Sequence, residues 1–446
     1  MYSWLLLLIA YLPFQVALNL WPGFDLASGR VFILLLFFIW LTKATWEAEL
    51  PISKCGKPSP PHLVNLRTIC LLFFLFISGL SILAAENYWW GLRKFLFFLS
   101  VFPLYFLVSG LIDNWQKFKK AVWVLAAGAG LMALIGLIQF LAQFVFGLEK
   151  VYGFWALSIV PVFSGFNFGA LILAYPSWLV NISGQTIMRG FSLFSDPHIF
   201  SLYLGLILPL AITLYLISVN YKKLLFAVCC LLFAGLALSF VRGAYLALIA
   251  AFLVLAWLLW KELNSKKIAI LLLLSLLIFF IPGTPISARF YSTFNLTEGS
   301  NVGRLEMWQS AGQLSREHLW LGLGLGNYSL SIDPDFEYRN PATAHNFYLD
   351  LFSEIGIFAL IIWLILIFGT IWQLYPAPFE DKENFARSAI LELHKHSHLN
   401  VALISSLVYF SVHSIFETAI YSPVILAILM IILGLCSKRL SILESA

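Results

Sequence analysis

The chain has 446 residues, of which 61% are hydrophobic, 17% aromatic and only 11% charged, and its mean hydropathy is +0.90. This composition excludes an ordinary soluble domain. Apolar runs of about 18 residues or more recur, and each can cross a hydrocarbon core about 30 Å thick. The runs lack the short alternation of a transmembrane β-barrel. The sequence therefore predicts an all-α polytopic membrane protein, with residues 1–446 forming a single integral membrane domain.

Hydropathy predicts about twelve transmembrane helices. They lie near residues 2–20, 31–48, 68–85, 95–112, 121–147, 198–218, 224–241, 244–260, 268–281, 346–373, 399–413 and 420–436. Two long connections interrupt this series. Residues 148–197 are broken by Gly and Pro and are predicted to be an outer loop or a re-entrant segment, with 155–179 either entering or lying on the membrane. Residues 282–345 are predicted to be a large, polar and partly helical periplasmic loop that carries the chemistry.

Lysine and arginine are unequally distributed between the two sides of the predicted membrane. Most of the 27 basic residues lie in alternate loops of one side and are mainly lysine, so that side is predicted to be cytoplasmic. Arginine predominates on the other side, where its planar fork of donors suits bidentate contacts to phosphate. The outer arginines therefore indicate a phosphate-bearing ligand, with pairing to carboxylates and lipid headgroups as the alternative.

Two motifs on the arginine-rich side place a guanidinium near a helix end. Arg242, in LSFVRGAYLALIAAF, lies at the membrane edge, where a charge either faces a polar partner or extends to the headgroups. Asn301 is predicted to cap a helix with Glu306 in its first turn, which puts Arg304 near the anion-favouring end. Arg304 and Trp308 then share a face. The alternative is an amphipathic helix that lies on the membrane.

A third motif, Thr343-Ala344-His345-Asn346, begins the apolar run FYLDLFSEIGIF. A histidine at the mouth of a membrane helix suits a general base, because its ordinary pKa is about 6.5. An interfacial histidine without a role is the alternative.

Several weaker patterns surround these motifs. The glycines at 322, 324 and 326 predict a tight turn rather than a nucleotide-binding loop. Packing is the favoured interpretation both for Asp196-Pro197-His198 and for the pair His413 and Glu417. From these patterns the sequence predicts neither a metal site nor a cofactor.

Taken in order, the three motifs resemble the O-antigen ligase family. The matching stretches are VRGAYLAL, GRLEMWQSA followed by HLWLGLGLGNY, and AHNFYLDLFSEIG, within about residues 190–370. The resemblance implies a GT-C-like, metal-independent and inverting glycosyltransferase at the periplasmic face of the bacterial inner membrane. By the same resemblance, Arg242 and Arg304 would bind the diphosphate of an undecaprenyl-diphosphate-linked glycan, and His345 would be the catalytic base.

Further residues are predicted around this site, and one departs from the family pattern. Members often have Asn-Pro-Asn where this chain has Ser195-Asp196-Pro197-His198. The surrounding candidates are Arg189, His198, Arg289, Trp308, Arg316, Arg339, His413 and Glu417.

Three functions remain open from the sequence. The first is a ligase that transfers the glycan to a lipid A-core acceptor. The second is an O-antigen or exopolysaccharide polymerase, which would use the same lipid-linked donor and a glycan acceptor. The third is a transporter or flippase of lipid-linked glycans, for which we would expect deep charges and internal repeats that the sequence does not show. Membrane lipids are predicted partners and nucleic acid is not.

Overall fold

The fold is that of an α-helical membrane protein with two small hairpins. A computed structural model describes residues 1–21, 24–49, 65–165, 177–182, 184–260, 266–338, 342–375 and 387–437. In these ranges two antiparallel hairpins accompany the helices, formed by β1 (Ala17–Trp21) with β2 (Phe24–Ala27) and by β3 (Leu179–Ile182) with β4 (Gln185–Met188). The all-helical expectation therefore holds for the membrane part and misses the hairpins.

The helices follow one another along the whole described chain. They are α1 (Tyr2–Tyr11), α2 (Ser28–Glu49), α3 (Leu66–Ser81), α4 (Tyr88–Val101), α5 (Pro103–Leu111), α6 (Trp115–Phe146), α7 (Leu148–Phe154), α8 (Val160–Ser164), α9 (Pro197–Ile217), α10 (Lys222–Leu238), α11 (Arg242–Trp260), α12 (Lys266–Ser275), α13 (Pro285–Tyr291), α14 (Gly299–Glu317), α15 (Tyr328–Ile332), α16 (Phe347–Ile355), α17 (Ile357–Leu374), α18 (Arg387–Phe416) and α19 (Pro423–Cys436).

Seven helices of the described residues are long and apolar enough to cross a membrane, or eight if the bent pair Lys266–Phe280 and Pro285–Glu317 is one span. The expected count of about twelve is not confirmed. The first predicted span, 2–20, is wrong in its second half. There α1 gives way to a short 3-10 turn that contains Pro13, and the chain then enters β1. Because proline lacks an amide proton, it ends the regular helical hydrogen bonding.

The predicted span 346–373 is divided at Gly356, where α16 ends and α17 begins. Gly356 has φ of +91°, and a side chain there would overlap the carbonyl of Trp320. The turn after α14 packs into the break, because Ile357 donates to the Leu319 carbonyl at 2.9 Å and Leu323 donates to that of Ser353 at 2.7 Å. The three glycines at 322, 324 and 326 all have positive φ, which confirms the predicted turn.

Helix α9 lies at the centre of the bundle, whereas α17 lies at its periphery. Within their best spanning windows, 83% of α9 is buried and only 33% of the Ile357–Leu374 helix. Helix α9 packs against α6, α10, α11 and α18. Large exposed apolar side chains, such as Trp372 and Phe368 on α17, give the outer surface the character expected next to lipid. The central helix carries His198 at its first turn, so it holds one part of the site rigidly.

Residues 148–197 form short elements in their described parts. Residues 148–164 are helical through α7, a π-helical turn and α8, and the β3–β4 hairpin follows. Two glutamines of α6 bond to the last residue of β4 and to the chain that follows it. Gln143 accepts from the Met188 amide at 2.7 Å and donates to its carbonyl at 2.9 Å, and Gln139 accepts from Phe191 and Ser192. This pairing fixes the position of Arg189.

Candidate functional site

Two histidines and an arginine from separate parts of the chain lie against the carboxylate of Glu417, just after α18. His345 Nδ1 lies 2.7 Å from Glu417 Oε1, and His198 Nδ1 lies 2.9 Å from Oε2. Arg304 Nη2 lies 3.5 Å from Oε2. The His198 contact is close enough for an ion pair but is not aligned as a hydrogen bond. We call these four residues the Glu417 cluster.

His345 is held by its backbone neighbours while its ring stays accessible. The residue has φ of +47°, and Asn346 caps α16 by accepting from the Tyr348 and Leu349 amides. The buried carboxylate of Asp350 accepts from the Ala344 amide at 2.8 Å and from the Thr418 hydroxyl. Asp350 thus ties the residue before His345 to the residue after Glu417. His345 still exposes 41% of its side-chain surface, so a substrate can reach the ring.

His198 reaches the cluster from the start of α9. Asp196 caps this helix by accepting from the His198 and Ile199 amides at 2.7 and 2.9 Å. His413 is fully buried beneath the cluster, and its Nε2 lies 3.4 Å from the Ser201 hydroxyl. The contacts of Asp196 and His413 agree with the packing interpretation made from the sequence. For His198 and Glu417, however, the structure replaces that interpretation with contacts to the other residues of the site.

Arg304 lies in the second turn of α14 rather than at its start. The helix begins at Gly299 with Glu298 as its cap residue, so the predicted cap at Asn301 is wrong and Glu306 is not in the first turn. The side-chain amide of Asn301 instead donates to backbone carbonyls of the preceding turn, including that of Asn295 at 2.7 Å. Trp308 shares the face of Arg304, as expected, and its ring lies 6.4 Å from that of Phe416. Within the described residues its indole N–H has no partner.

A second carboxylate, Glu298, holds two more arginines. Arg242 Nη1 donates to Glu298 Oε2 at 2.6 Å, and Nη2 donates to the Ser300 hydroxyl at 2.5 Å. Arg289 lies 3.5 Å from Oε1 of the same carboxylate and donates to the Phe240 carbonyl at 3.2 Å. Arg242 is only 4% exposed. Glu298 is not recognisable from the sequence, because nothing in its spacing links it to Arg242 across the intervening helices.

Arg189 is a buried arginine whose side chain is not fully hydrogen-bonded within the described residues. Its side chain is buried, and within the described residues its Nε has no hydrogen-bond partner. It interacts electrostatically with Arg242, Arg304 and Glu417. Burial, with a smaller contribution from the neighbouring arginines, lowers the pKa of Arg189 to about 10. A buried guanidinium that remains charged is stabilised by an anionic partner.

Four arginines share the two carboxylates of Glu298 and Glu417. These arginines are Arg189, Arg242, Arg289 and Arg304. The Glu417 carboxylate raises the pKa of His345 against the lowering effect of burial. Burial alone would raise the pKa of Glu417, but His198 and His345 hold it well below its usual range. The arrangement can bind a multivalent anion and transfer one proton.

Two predicted residues stand apart from this arrangement. Arg316 is exposed near the end of α14, twelve residues and therefore about 18 Å along the helix from Arg304. Arg339 lies outside the residues that the structure describes. Within those residues, no group of three or more His, Cys, Asp or Glu side chains could hold a metal ion.

The fold and the site together define a multi-pass membrane protein with a buried cationic site and a histidine–carboxylate pair. A family model described as O-antigen ligase matches residues 226–364, and this match supports assigning the chain to the O-antigen ligase family. The matched region contains Arg242, Arg304 and His345, whereas Glu417, His198 and Arg189 lie outside it. No curated protein is significantly similar to the chain over its sequence.

Proposed function

We propose that the protein is a glycosyltransferase that moves a glycan from undecaprenyl diphosphate to a lipid A-core acceptor at the periplasmic face of the inner membrane. The observation that carries this proposal is the contact between His345 and Glu417 beside a buried excess of arginines. The match to the O-antigen ligase family model supports a glycosyltransferase-like enzyme of this kind. The GT-C-like architecture and the bacterial inner membrane are parts of the same proposal.

The arginines account for binding and departure of the diphosphate. When the glycosidic bond to the lipid diphosphate breaks, negative charge develops on the leaving oxygen. Arg242 and Arg304 carry fixed positive charge that stabilises it, and Arg189 is a third buried donor. We infer that the bound diphosphate replaces Glu298 and Glu417 as a partner of these arginines, at least in part. Charge stabilisation by these side chains is compatible with a metal-independent reaction.

His345 accounts for activation of the acceptor. Because the Glu417 carboxylate can only accept, His345 donates through Nδ1–H and presents Nε2 as the base. Nε2 takes the proton from an acceptor hydroxyl, whose oxygen forms a bond to the anomeric carbon. The bond from that carbon to the diphosphate breaks on the opposite face, and the electron pair leaves with undecaprenyl diphosphate. One displacement of this type inverts the anomeric configuration.

The ligase assignment is tested by changing the acceptor while keeping the donor. Purified wild-type protein is incubated with undecaprenyl-diphosphate-linked glycan, with and without lipid A-core, and the products are separated by size. We expect glycan on lipid A-core and no growth of the lipid-linked glycan by itself. Chain growth with donor alone would reject the ligase and identify a polymerase that uses the same donor.

A further inference from the structure

A cavity of about 290 Å³ lies between the first turns of α6 and the turn from α9 to α10. Its walls are Trp115, Lys119 and Trp123 on one side and residues 217–221 on the other. Helix α9 has 21 residues and begins beside His198, so the cavity lies about 30 Å from the Glu417 cluster, at the opposite end of that helix. The cavity is therefore no part of the candidate active site.

Two polar features at this cavity lack a side-chain partner among the described residues. Ser218 is 4% exposed and lines the cavity, and within the described residues its hydroxyl has no hydrogen-bond partner. Tyr221 precedes α10 with φ of +65° and makes no side-chain cap, so no capping side chain satisfies the first amides of that helix. A buried hydroxyl without a partner is costly. Both features indicate a ligand that accepts hydrogen bonds.

The charge around the cavity is positive and unbalanced. Lys119 lies in its wall and Lys222 directly follows it. Neither lysine, nor Lys120 or Lys223, pairs with a carboxylate of the described residues. Asp113 is 2.6 Å from Lys117 and therefore does not neutralise the others. This positive charge favours an anionic ligand.

The surroundings of the cavity are those of a membrane interface. The ring of Trp123 packs edge-on to that of Tyr221 at 5.9 Å, and tryptophan and tyrosine are enriched at the level of lipid headgroups. Next to them Val219, Leu224 and Phe226 are exposed by 89%, 54% and 58%. A ligand with an anionic head and apolar tails matches this combination of cavity and surface.

We propose that this cavity binds the phosphate headgroup of an acidic phospholipid, in the leaflet opposite the active site. Lys119 and Lys222 pair with the phosphate, and the Ser218 hydroxyl and the first amides of α10 donate to it. The acyl chains lie against the exposed apolar residues beside the turn. This site is independent of glycosyl transfer, because none of its residues contacts the Glu417 cluster.

The test compares two double substitutions that each remove two lysine charges. Lys119→Gln with Lys222→Gln changes the cavity, whereas Lys266→Gln with Lys267→Gln changes the start of α12, which does not line it. Binding of phosphatidylglycerol to detergent-purified protein is measured by native mass spectrometry, with phosphatidylcholine as the neutral lipid. At about 1 kcal/mol per lysine, the cavity variant should bind phosphatidylglycerol roughly 30-fold more weakly. The control variant should stay within about twofold of wild type.

Two further measurements distinguish a lipid headgroup site from a general effect of charge and from a site for free anions. Ser218→Leu fills the cavity without removing a charge and should also weaken phosphatidylglycerol binding. Inorganic phosphate, added in large excess, should not displace the lipid, because it lacks the acyl chains. Equal effects of the two lysine pairs, or unchanged binding by Ser218→Leu, would contradict a built headgroup site. Displacement by phosphate would show a site for free anions rather than for a lipid.

Discussion

Glu417 connects parts of the chain that lie far apart in sequence. Its two oxygens contact His345, His198 and Arg304, which come from a loop, α9 and α14. One carboxylate can therefore orient the proposed base and also balance the charge beside the proposed diphosphate site. This double role predicts that loss of the carboxylate changes the pH dependence of the reaction as well as its rate.

Glu417→Gln should lower the transfer rate by about 10²-fold or more and shift the acid limb of its pH profile to lower pH. A base must be neutral, and the Glu417 carboxylate raises the pKa of His345 above its ordinary value. In the wild type the rate should rise with pH through that raised pKa. Without the carboxylate the pKa of His345 falls, because burial and Arg304 both lower it.

The measurement is the initial transfer rate from pH 5 to pH 9 at saturating donor. Glu306→Gln, an exposed glutamate of α14, is the matched control and should keep the wild-type profile. An unchanged acid limb in Glu417→Gln would show that Glu417 does not set the pKa of the base.

Asp350 is predicted to be a positioning residue for both His345 and Glu417. Each of its oxygens accepts one bond, from Ala344 N–H and from the Thr418 hydroxyl, so Asp350→Asn can keep only one acceptor. We expect a loss of about 1–3 kcal/mol of stability and a lower kcat with little change in the KM for donor.

Thr418→Val removes the other partner of the same bond and should act in the same direction. The loss of stability in the double variant should then be no larger than the sum of the losses in the two single variants. Asp335→Asn, on an exposed turn, is the control. A rise in KM with unchanged kcat would assign Asp350 to donor binding rather than to positioning.

At this scale the sequence singles out residues with a distinctive type and context, and their roles stay predictions. Arg242, Arg304 and His345 were recognisable because charge is rare in this chain and their motifs occur in a fixed order. Glu298 and Asp350 were not, since their roles come from contacts across 56 and 68 positions with Arg242 and Thr418. Pattern and spacing carry no information about such distant pairs.

At the scale of elements, the close packing of α9 against α18 supports the position of His198. Gly205 of α9 lies against the ring of Tyr409, whose hydroxyl donates to the Ser201 carbonyl at 3.0 Å. Small residues permit this close approach between membrane helices. A side chain at position 205 would have to displace the tyrosine.

Gly205→Ala should destabilise the protein by about 1–3 kcal/mol, because the added methyl group overlaps the Tyr409 ring. The measurement is the thermal unfolding midpoint in detergent. Gly303→Ala on α14 is the matched control, since open space surrounds that position, and it should be neutral or slightly stabilising. Equal midpoints for the two variants would contradict the described packing.

Helix positions were predicted well where hydropathy alone decides them. The expected spans near 121–147, 198–218 and 244–260 agree closely with α6, α9 and α11. Hydropathy does not detect a break within an apolar run. It therefore missed both the end of the first helix before Pro13 and the division at Gly356. At Gly356 the backbone contacts with residues 318–323 determine where the helix breaks.

At the scale of the whole molecule, the two ends of α9 differ in charge chemistry. Arginine, histidine and carboxylates surround its first turn, and lysines surround the turn that follows it. This asymmetry agrees with the positive-inside interpretation, in which the lysine-rich end is cytoplasmic. It follows that the two ends should be accessible from opposite sides of the membrane.

Cysteines introduced at the two ends test this orientation in a background without the native cysteines. Glu306→Cys, on the exposed face of α14, should react with a membrane-impermeant maleimide on intact spheroplasts. Asn220→Cys, in the turn before α10, should react only after permeabilisation. The reverse pattern would overturn the orientation and with it the periplasmic active site.

The central claim is that Arg304 binds the donor diphosphate and His345 removes the acceptor proton. It is tested by measuring donor affinity and single-turnover transfer in purified His345→Ala and Arg304→Ala, with exposed His318→Ala and Arg316→Ala as controls. We expect His345→Ala to bind donor normally and lose about 10²–10⁴-fold in transfer. Arg304→Ala should weaken donor binding as well, and both controls should stay within about twofold of wild type. Wild-type transfer by correctly folded His345→Ala or Arg304→Ala would contradict the account.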